Sequence, residues 1–587
     1  MRTMSMNEDI AKIFEELATL LELTGANGFR VNAHAKIARV VEGLTTDLGE
    51  PARSEGGLKA LEAIDGIGKS SAQKIVEFAT LGTVAELEQL RASVPDGLRE
   101  VMKVPGLGPK TVRRLWQEAE IESIGDLEAA IDDGRLKALP RMGQKTIDNI
   151  RESIDFMKTA GDRRRLGTAM PIAERLIAMM RAIPGVRNVA YAGSLRRGQE
   201  TIGDLDLLVT ADDPTAASEA FRTQSGVTKI LVAGETKSSV RLEDGIQVDL
   251  RVVPEEAWGA ALMYFTGSKD HNVALRERAI GRGLRLNEYG LFPDDGENGP
   301  PQQRGVVAIA SATEAEIYQA LDLPWIPPEL RVDRDEFDLE VPNDLITVDA
   351  IRAELHSHTT ASDGRLTIEE LAVAARAAGR TVLAITDHSR SSAQANGLDE
   401  DRLRMHIDAI READARIEGI RLLAGSEVDI HADGSLDYED DVLALLDVVV
   451  ASPHASLRQD PDTATARLCA AARHPLVSII GHPTGRLIGT RKGLEPDIEQ
   501  LITAAIEGGT ALEINANPYR LDLRDIHVRA AVDAGCLISI NTDAHRAEHL
   551  EFIRYGVMTG RRGRLRIPGC LNAWPEERLL EWLGRNR

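Results

Sequence analysis

Only three cysteines (Cys469, Cys536, Cys570) occur in 587 residues. They are too few and too scattered for a disulfide framework, and they point to a reducing compartment. No apolar run is long enough to span a bilayer, and no basic-then-apolar leader opens the chain, so a cytoplasmic protein without membrane attachment is expected. Positive charge is also scarce. The net charge is −23 and the pI about 5.1, which argues against a broad basic face for nucleic acid. Binding to nucleic acid would then need local Lys/Arg patches and helix N-termini, with carboxylates elsewhere holding cations. What remains is an ordinary soluble composition, 43% hydrophobic and 28% charged, in a chain too long for one core.

The most informative carboxylates are Asp204 and Asp206, in Gly203-Asp204-Leu205-Asp206-Leu207-Leu208-Val209. A strand directs residues i and i+2 to one face, and the apolar flanks would seat that strand in a core. Paired carboxylates there repel each other and lose hydration, and a divalent cation relieves both costs. Asp249 comes from a second strand-like run, Ile246 to Val253. Three carboxylates on neighbouring strands can hold two Mg²⁺ ions, which suits in-line phosphoryl displacement.

Residues 7–160 read as mostly helical. Asn7 is placed to cap a first helix with the apolar stripe Ile10, Ile13, Phe14, Leu17, Leu20, Leu21. Two Gly-x-Gly-(Pro)-Lys segments join helical stretches, one with Gly66, Gly68 and Lys69, the other with Gly106, Gly108 and Lys110. Glycine permits the tight turn, and the N–H groups opening the next helix form an anion site that grips phosphates without reading sequence. Plain turns in a helical domain are the other reading. Leu139 to Lys145 resembles a third copy, with Arg141 where the first glycine would stand.

Strands alternate with helices from about Val189. Pro-rich 323–328 and the acidic, irregular stretch 332–344 break the rhythm and suggest a linker. Seven βα-type units follow, and their strand ends carry polar clusters. Eleven of the thirteen histidines lie beyond residue 350, and six of them (His356, His358, His388, His454, His482, His545) stand at such strand ends. With Asp363, Glu427 and Asp543 they form an N/O donor set suited to Zn²⁺ or Mn²⁺, too large for one ion. His406, His431, His474, His527 and His549 read as ordinary residues.

The hairpins, Gly193-Ser194-x-Arg196-Arg197-Gly198 with Gly203-Asp204-x-Asp206, Asp249, and Tyr264-Phe265-Thr266-Gly267-Ser268 together resemble the family X DNA polymerases over roughly residues 7–330. His356-x-His358-Thr359…Asp363-Gly364, Thr386-Asp387-His388 and Asp543-x-His545 resemble the polymerase and histidinol phosphatase (PHP) domain over about 350–570. The resemblance implies a multidomain α/β protein: a helical helix-hairpin-helix N-terminal domain, a nucleotidyltransferase-type palm with fingers and thumb, and a C-terminal distorted (β/α)7 PHP barrel. The expected boundaries are 1–90 for the eight-kilodalton-like domain, 91–160 for fingers, 161–256 for palm, 257–330 for thumb, 331–349 for linker and 350–587 for barrel.

It further implies roles. Asp204 and Asp206 would ligate both Mg²⁺ ions, and Asp249 the catalytic one. Gly193, Ser194, Arg197 and Gly203 would cradle the triphosphate, Arg197 with its planar fork. Tyr264, Phe265 and Gly267 match the segment beside the nucleotide sugar. Asn272 and Arg276 match minor-groove contacts to the nascent pair, whereas Lys269 stands where the pattern is acidic. Lys74 matches a Schiff-base lysine able to attack an abasic sugar, with a phosphate contact as the alternative. The barrel would hold two or three Mn²⁺ or Zn²⁺ ions and hydrolyse phosphodiesters, with Asp387 orienting a ligand. The implied whole is a monomeric polymerase using deoxynucleoside triphosphates on gapped or nicked DNA in base excision repair. It would add a 3′–5′ exonuclease, apurinic endonuclease or 3′-phosphodiesterase. A DNA-end-binding scaffold with a weak palm, and a barrel acting on a small phosphate ester, are the competing readings.

Overall fold

The computed structural model describes residues 6–585 apart from 43–46, 55, 65, 105, 141, 161–162, 333–335 and 339. The chain forms two compact units, one of residues 1–161 with 489–491, the other of 162–488 and 492–587.

The first unit is helical. Its opening helix, Met6–Thr24, buries Ile10, Phe14, Leu17, Leu20 and Leu21 at 2% exposure or less, as the stripe predicts. Burying each such side chain contributes on the order of 2 kcal/mol. Asn7 does not act as predicted. It lies inside the helix, and its side-chain carbonyl accepts from the distant Leu48 N–H at 2.8 Å.

Both glycine hairpins form. Gly66 (φ +88) and Gly106 (φ +89) occupy the left-handed region that a side chain resists. Gly68 and Gly108 are extended residues preceding the helices Lys69–Leu81 and Pro109–Ala119, and a Cβ at either would meet nothing within 4 Å. Ile67 and Leu107 plug the turns into the core. Arg141 lies outside the described residues, but its neighbours repeat the pattern. Met142 N–H donates to Leu139 C=O at 3.2 Å, as Ile67 does to Ile64 and Leu107 to Val104 at 3.0 Å.

The second unit opens with a five-stranded sheet in the order Val186–Tyr191, Asp204–Ala211, Gln247–Val252, Lys237–Leu242, Val227–Ala233. The two central strands run parallel and the other neighbours antiparallel. Helices Trp258–Thr266, Lys269–Ile280 and Glu314–Ala320 pack around Met263, Leu275, Leu291 and Ile317. The stretch predicted as a linker is anchored at points. Arg331 is fully buried, and Glu336 meets His271 Nδ1 at 2.9 Å.

Seven parallel strands then follow in chain order, from Ala353–Glu354 to Ile538–Asn541. A parallel bridge between Ser357 and Ala544 brings the last strand's end beside the first, nearly closing a barrel. Most of these strands are buried along their whole length, which explains why they read as continuous apolar runs. Sheet and barrel share a core. Ile488, Leu521 and Tyr555 of the barrel segment pack among Leu166, Leu176, Leu205 and Leu250 of the sheet layer.

Two candidate metal centres

Asp206 and Asp249 are register partners on the adjacent parallel strands, and Asp204 lies two residues earlier opposite Gln247. Register therefore puts all three carboxylates on one face. Burial, then the charges of Asp204 and Asp249, push Asp206 up to about 7, with Arg197 and Arg251 opposing. A carboxylate trio that cannot stay fully ionised by itself suits divalent cations. Asp249 is oriented by the Ser239 hydroxyl and by the Gln247 amide, at 3.1 Å to Oδ2.

A cleft of about 590 Å³ opens over Asp204 and Asp206. Gly193 has φ +60, and a Cβ there would collide with the Asp206 carboxylate. Glycine is thus required where the loop meets the acid. The four-residue helix Gly193–Arg196 carries Ser194 and leads into Arg197, which donates to Thr266 C=O. Burial and the neighbouring Arg562 bring the Arg197 guanidinium down to about 10, still charged near neutrality. Gly267, at φ +70, leaves room for that guanidinium, since a Cβ would stand 3.1 Å from it.

Tyr264 and Phe265 meet edge to face at 5.2 Å, and Asn272 Nδ2 donates to Tyr264 C=O at 2.7 Å. Arg276 and Lys269 line the same cleft and are exposed. Gly203, predicted beside the triphosphate, is not among the residues lining the cleft, and a Cβ there would be 3.1 Å from the cleft-lining Arg163. Arg163 and Gln199 also line the cleft and were missed from sequence; the run Arg163-Arg164-Arg165 was the available signal. Arg196 faces away. Its fork grips Glu314 at 2.7 and 2.9 Å, and Glu314 also takes Arg331 at 2.8 Å. Burial raises Glu314, but the two arginines reverse that and hold it at about 2.

In the helical unit, Lys69 and Lys110 are exposed at their helix starts, next to Gly68 and Gly108. Lys74 is not free. Its ammonium contacts Glu86 at 3.0 Å and donates to Ser70 Oγ at 2.9 Å.

The barrel brings all nine predicted donors together. They form four overlapping groups: His358, Asp363, His388 and His545; His356, His358 and Asp543; His356, Glu427 and His482; His388, Glu427 and His454. Within each, the ligand atoms lie inside 4.8 Å of one another. Glu427 is the hub, its oxygens 2.9 Å from His482, 3.2 Å from His454, 3.3 Å from His356 and 2.8 Å from His388. Buried Nε2 of His356, both nitrogens of His358 and both oxygens of Glu427 have no hydrogen-bond partner. Orphaned buried polar atoms are costly, and cations among them would satisfy the set. The backbone is left-handed at His482 (φ 25) and Asp543 (φ 54), the local strain that accumulates at functional sites.

The supporting residues were largely missed. Glu513 takes His356 Nδ1 at 2.8 Å, Asp429 takes His454 Nδ1 at 3.0 Å, and Asn515 donates to Asp543 at 3.1 Å. Such partners fix tautomer and ring orientation. Asp387 accepts from Thr359 Oγ1 at 2.7 Å and Ser362 Oγ at 2.5 Å, holding the loop that carries Asp363. Its other partner is His406 at 2.7 Å, so His406 is not the ordinary residue predicted. His549 accepts from His545 N–H at 3.3 Å and stacks on Phe552. His431 and His474 pair with Asp437 and Asp440 away from the donor set.

Parts of the chain match known families. Residues 5–84 match the family described as helix-hairpin-helix domain, 98–155 the SAM-like helix-hairpin-helix tandem, 261–332 the DNA polymerase beta thumb and 354–517 the PHP domain. DNA polymerase lambda of Arabidopsis thaliana is 26% identical over 353 residues, 56% of this chain and 62% of that one. DNA polymerase lambda of Rattus norvegicus is 28% identical over 46% of this chain and 48% of its own. The protein of Bacillus subtilis (strain 168) described as DNA polymerase/3'-5' exonuclease PolX is 37% identical over 582 residues, 99% of each chain. This chain belongs to the PolX family, the family X DNA polymerases that carry a PHP domain.

Proposed function

We propose that this protein is a divalent-metal-dependent DNA repair polymerase that fills short gaps and trims the 3′ ends it extends. The observation that carries the reading is the pairing of Asp206 with Asp249 across parallel strands, with Asp206 lining a cleft together with Ser194 and Arg197. In this assignment 1–90 and 91–160 hold DNA, 161–256 is the palm, 257–330 the thumb and 350–587 the nuclease, acting as a 3′–5′ exonuclease and, on damaged ends, as a 3′-phosphodiesterase or apurinic endonuclease. The substrates are deoxynucleoside triphosphates and gapped or nicked duplex.

Asp204, Asp206 and Asp249 would hold Mg²⁺, and the nine barrel donors Mn²⁺ or Zn²⁺. Bound there, the cations would supply charge neutralisation and activation of the attacking oxygen. Ser194 and Arg197 bind the triphosphate, and Gly193 lets the backbone approach it. Tyr264, Phe265 and Gly267 flank the sugar. Asn272 and Arg276 reach the nascent pair. The first-turn N–H groups after Gly68 and Gly108, with Lys69 and Lys110, hold backbone phosphates, which reconciles DNA binding with a charge of −23.

The test is a gapped duplex ending in a mismatched 3′ nucleotide, given Mg²⁺ or Mn²⁺ separately. The expected result is removal of the mismatch and then extension of the same strand. Extension without removal, or removal without extension, would overturn the two-activity reading.

Lys74 is proposed as the abasic-site nucleophile. Glu86 pairs with its Nζ at 3.0 Å, so that pair must open before the amine attacks. Borohydride trapping on incised abasic DNA is expected to give an adduct with the wild type, none with Lys74→Ala, and more with Glu86→Gln. Equal trapping by Lys74→Ala would rule this lysine out.

A further inference from the structure

The triphosphate loop 197–200 is held from behind by the barrel. Helix Ile553–Arg562, which follows the segment bearing His545 and His549, runs against it. Arg562 is 6% exposed, and its guanidinium donates to the main-chain carbonyl of Arg197 at 2.9 Å and to Asp525 at 2.8 Å. Turned to present its carbonyl, the Gln199 side chain accepts from both terminal nitrogens of Arg562, at 3.2 and 3.3 Å. Gly198 has φ +62, and a Cβ there would stand 3.1 Å from Met558. Glu200 pairs with Arg486 at 2.7 Å. Each of the four loop residues therefore meets the barrel segment, and Tyr555 of the same helix sits in the sheet core.

A loop of this kind, with a glycine at positive φ between two polar residues, has many alternatives in isolation. Its one conformation matters, because Arg197 and Gln199 line the nucleotide cleft. Arg562 satisfies the Arg197 carbonyl while Asp525 balances its charge, so the contact is a hydrogen-bonded brace between the domains.

We infer that Arg562, on the nuclease domain, is a positioning residue for the incoming nucleotide, and that the PHP barrel is in this way a working part of the polymerase site. The inference rests on the proposed polymerase reading of the cleft. Its effect belongs to triphosphate binding, because the brace acts on the main chain of the loop that carries Arg197.

The test measures nucleotide affinity without turnover. Matching dNTP is titrated onto the full-length protein bound to a one-nucleotide gap with a dideoxy-terminated primer, for wild type, Arg562→Met, Arg562→Lys and Asp525→Asn. Loss of one buried charged hydrogen bond corresponds to about a tenfold weaker dNTP for Arg562→Met. Arg562→Lys should recover part of the loss, and Asp525→Asn, which frees Arg562 from its second anchor, should shift affinity in the same direction. Gapped-DNA affinity and Mn²⁺-dependent 3′ digestion should stay at wild-type level. Unchanged dNTP affinity in Arg562→Met overturns the inference. So does equal weakening of dNTP affinity, DNA affinity and digestion, the signature of a merely structural role. Should Arg562→Met fail to fold, Asp525→Asn carries the same test. Failure of the polymerase reading shows separately, as a wild type that binds dNTP but does not extend a normal primer.

Discussion

Glu427→Gln is expected to reduce Mn²⁺-dependent primer digestion by on the order of 10³-fold, several kcal/mol of transition-state stabilisation, while leaving gap filling within about twofold of wild type. Glu427 belongs to two of the four donor groups and lies within 3.3 Å of four imidazoles. Its carboxyl is held far below the usual range: burial opposes ionisation, and the charges of His454, His356 and His388 more than reverse that. Glutamine keeps the shape and removes the charge, so the fold should persist while two ion sites lose their shared anion. Two measurements check this. Metal analysis of the purified protein should show less bound metal, and a labelled primer should survive where the wild type degrades it. The double variant His356→Ala, His358→Ala should behave likewise. Full digestion by either protein would move the nuclease elsewhere.

Asp206→Asn should abolish nucleotide incorporation, by about 10³-fold or more, and should also stabilise the metal-free protein. The second effect follows from sign. Asp206 is raised from 3.8 to about 7, so its ionised form is penalised in the fold. The penalty is absent below about pH 4 and complete above about pH 7. Asparagine removes it, so the thermal midpoint without Mg²⁺ should rise at pH 8, by on the order of 1–3 kcal/mol of stability, and not at pH 4. Mg²⁺ should narrow the difference, because cations relieve the same repulsion in the wild type. An unchanged midpoint at pH 8 would show that the aspartates do not strain the fold. Asp249→Ala should lose incorporation equally; normal gap filling would overturn the assignment of the trio.

Much of both centres was legible because each rests on a local rule. Asp204 and Asp206 are two apart in an apolar strand, and period-2 alternation puts them on one face. The six barrel histidines stand at strand ends, and parallel strands joined by helices collect those ends on one rim. The hairpin glycines announce themselves because only glycine takes φ near +88 without strain. What failed were the readings that needed a partner distant in sequence. Asn7 has cap chemistry, but Leu48 takes its carbonyl. His406 has no metal-binding neighbour in the sequence, yet it supports Asp387 from a helix 19 residues on.

By itself, the sequence determined which face or strand end each candidate residue occupies, because residue type, period and turn preference are local properties. Tertiary structure alone decided who stands beside whom. Asp249 pairs with Asp206 only because the last strand of its meander inserts parallel to the aspartate strand. Arg562 reaches the Arg197 carbonyl across 365 positions of chain. No local pattern encodes that contact, since it depends on how a helix packs against a loop from another domain, and it joins the nuclease half to the polymerase site.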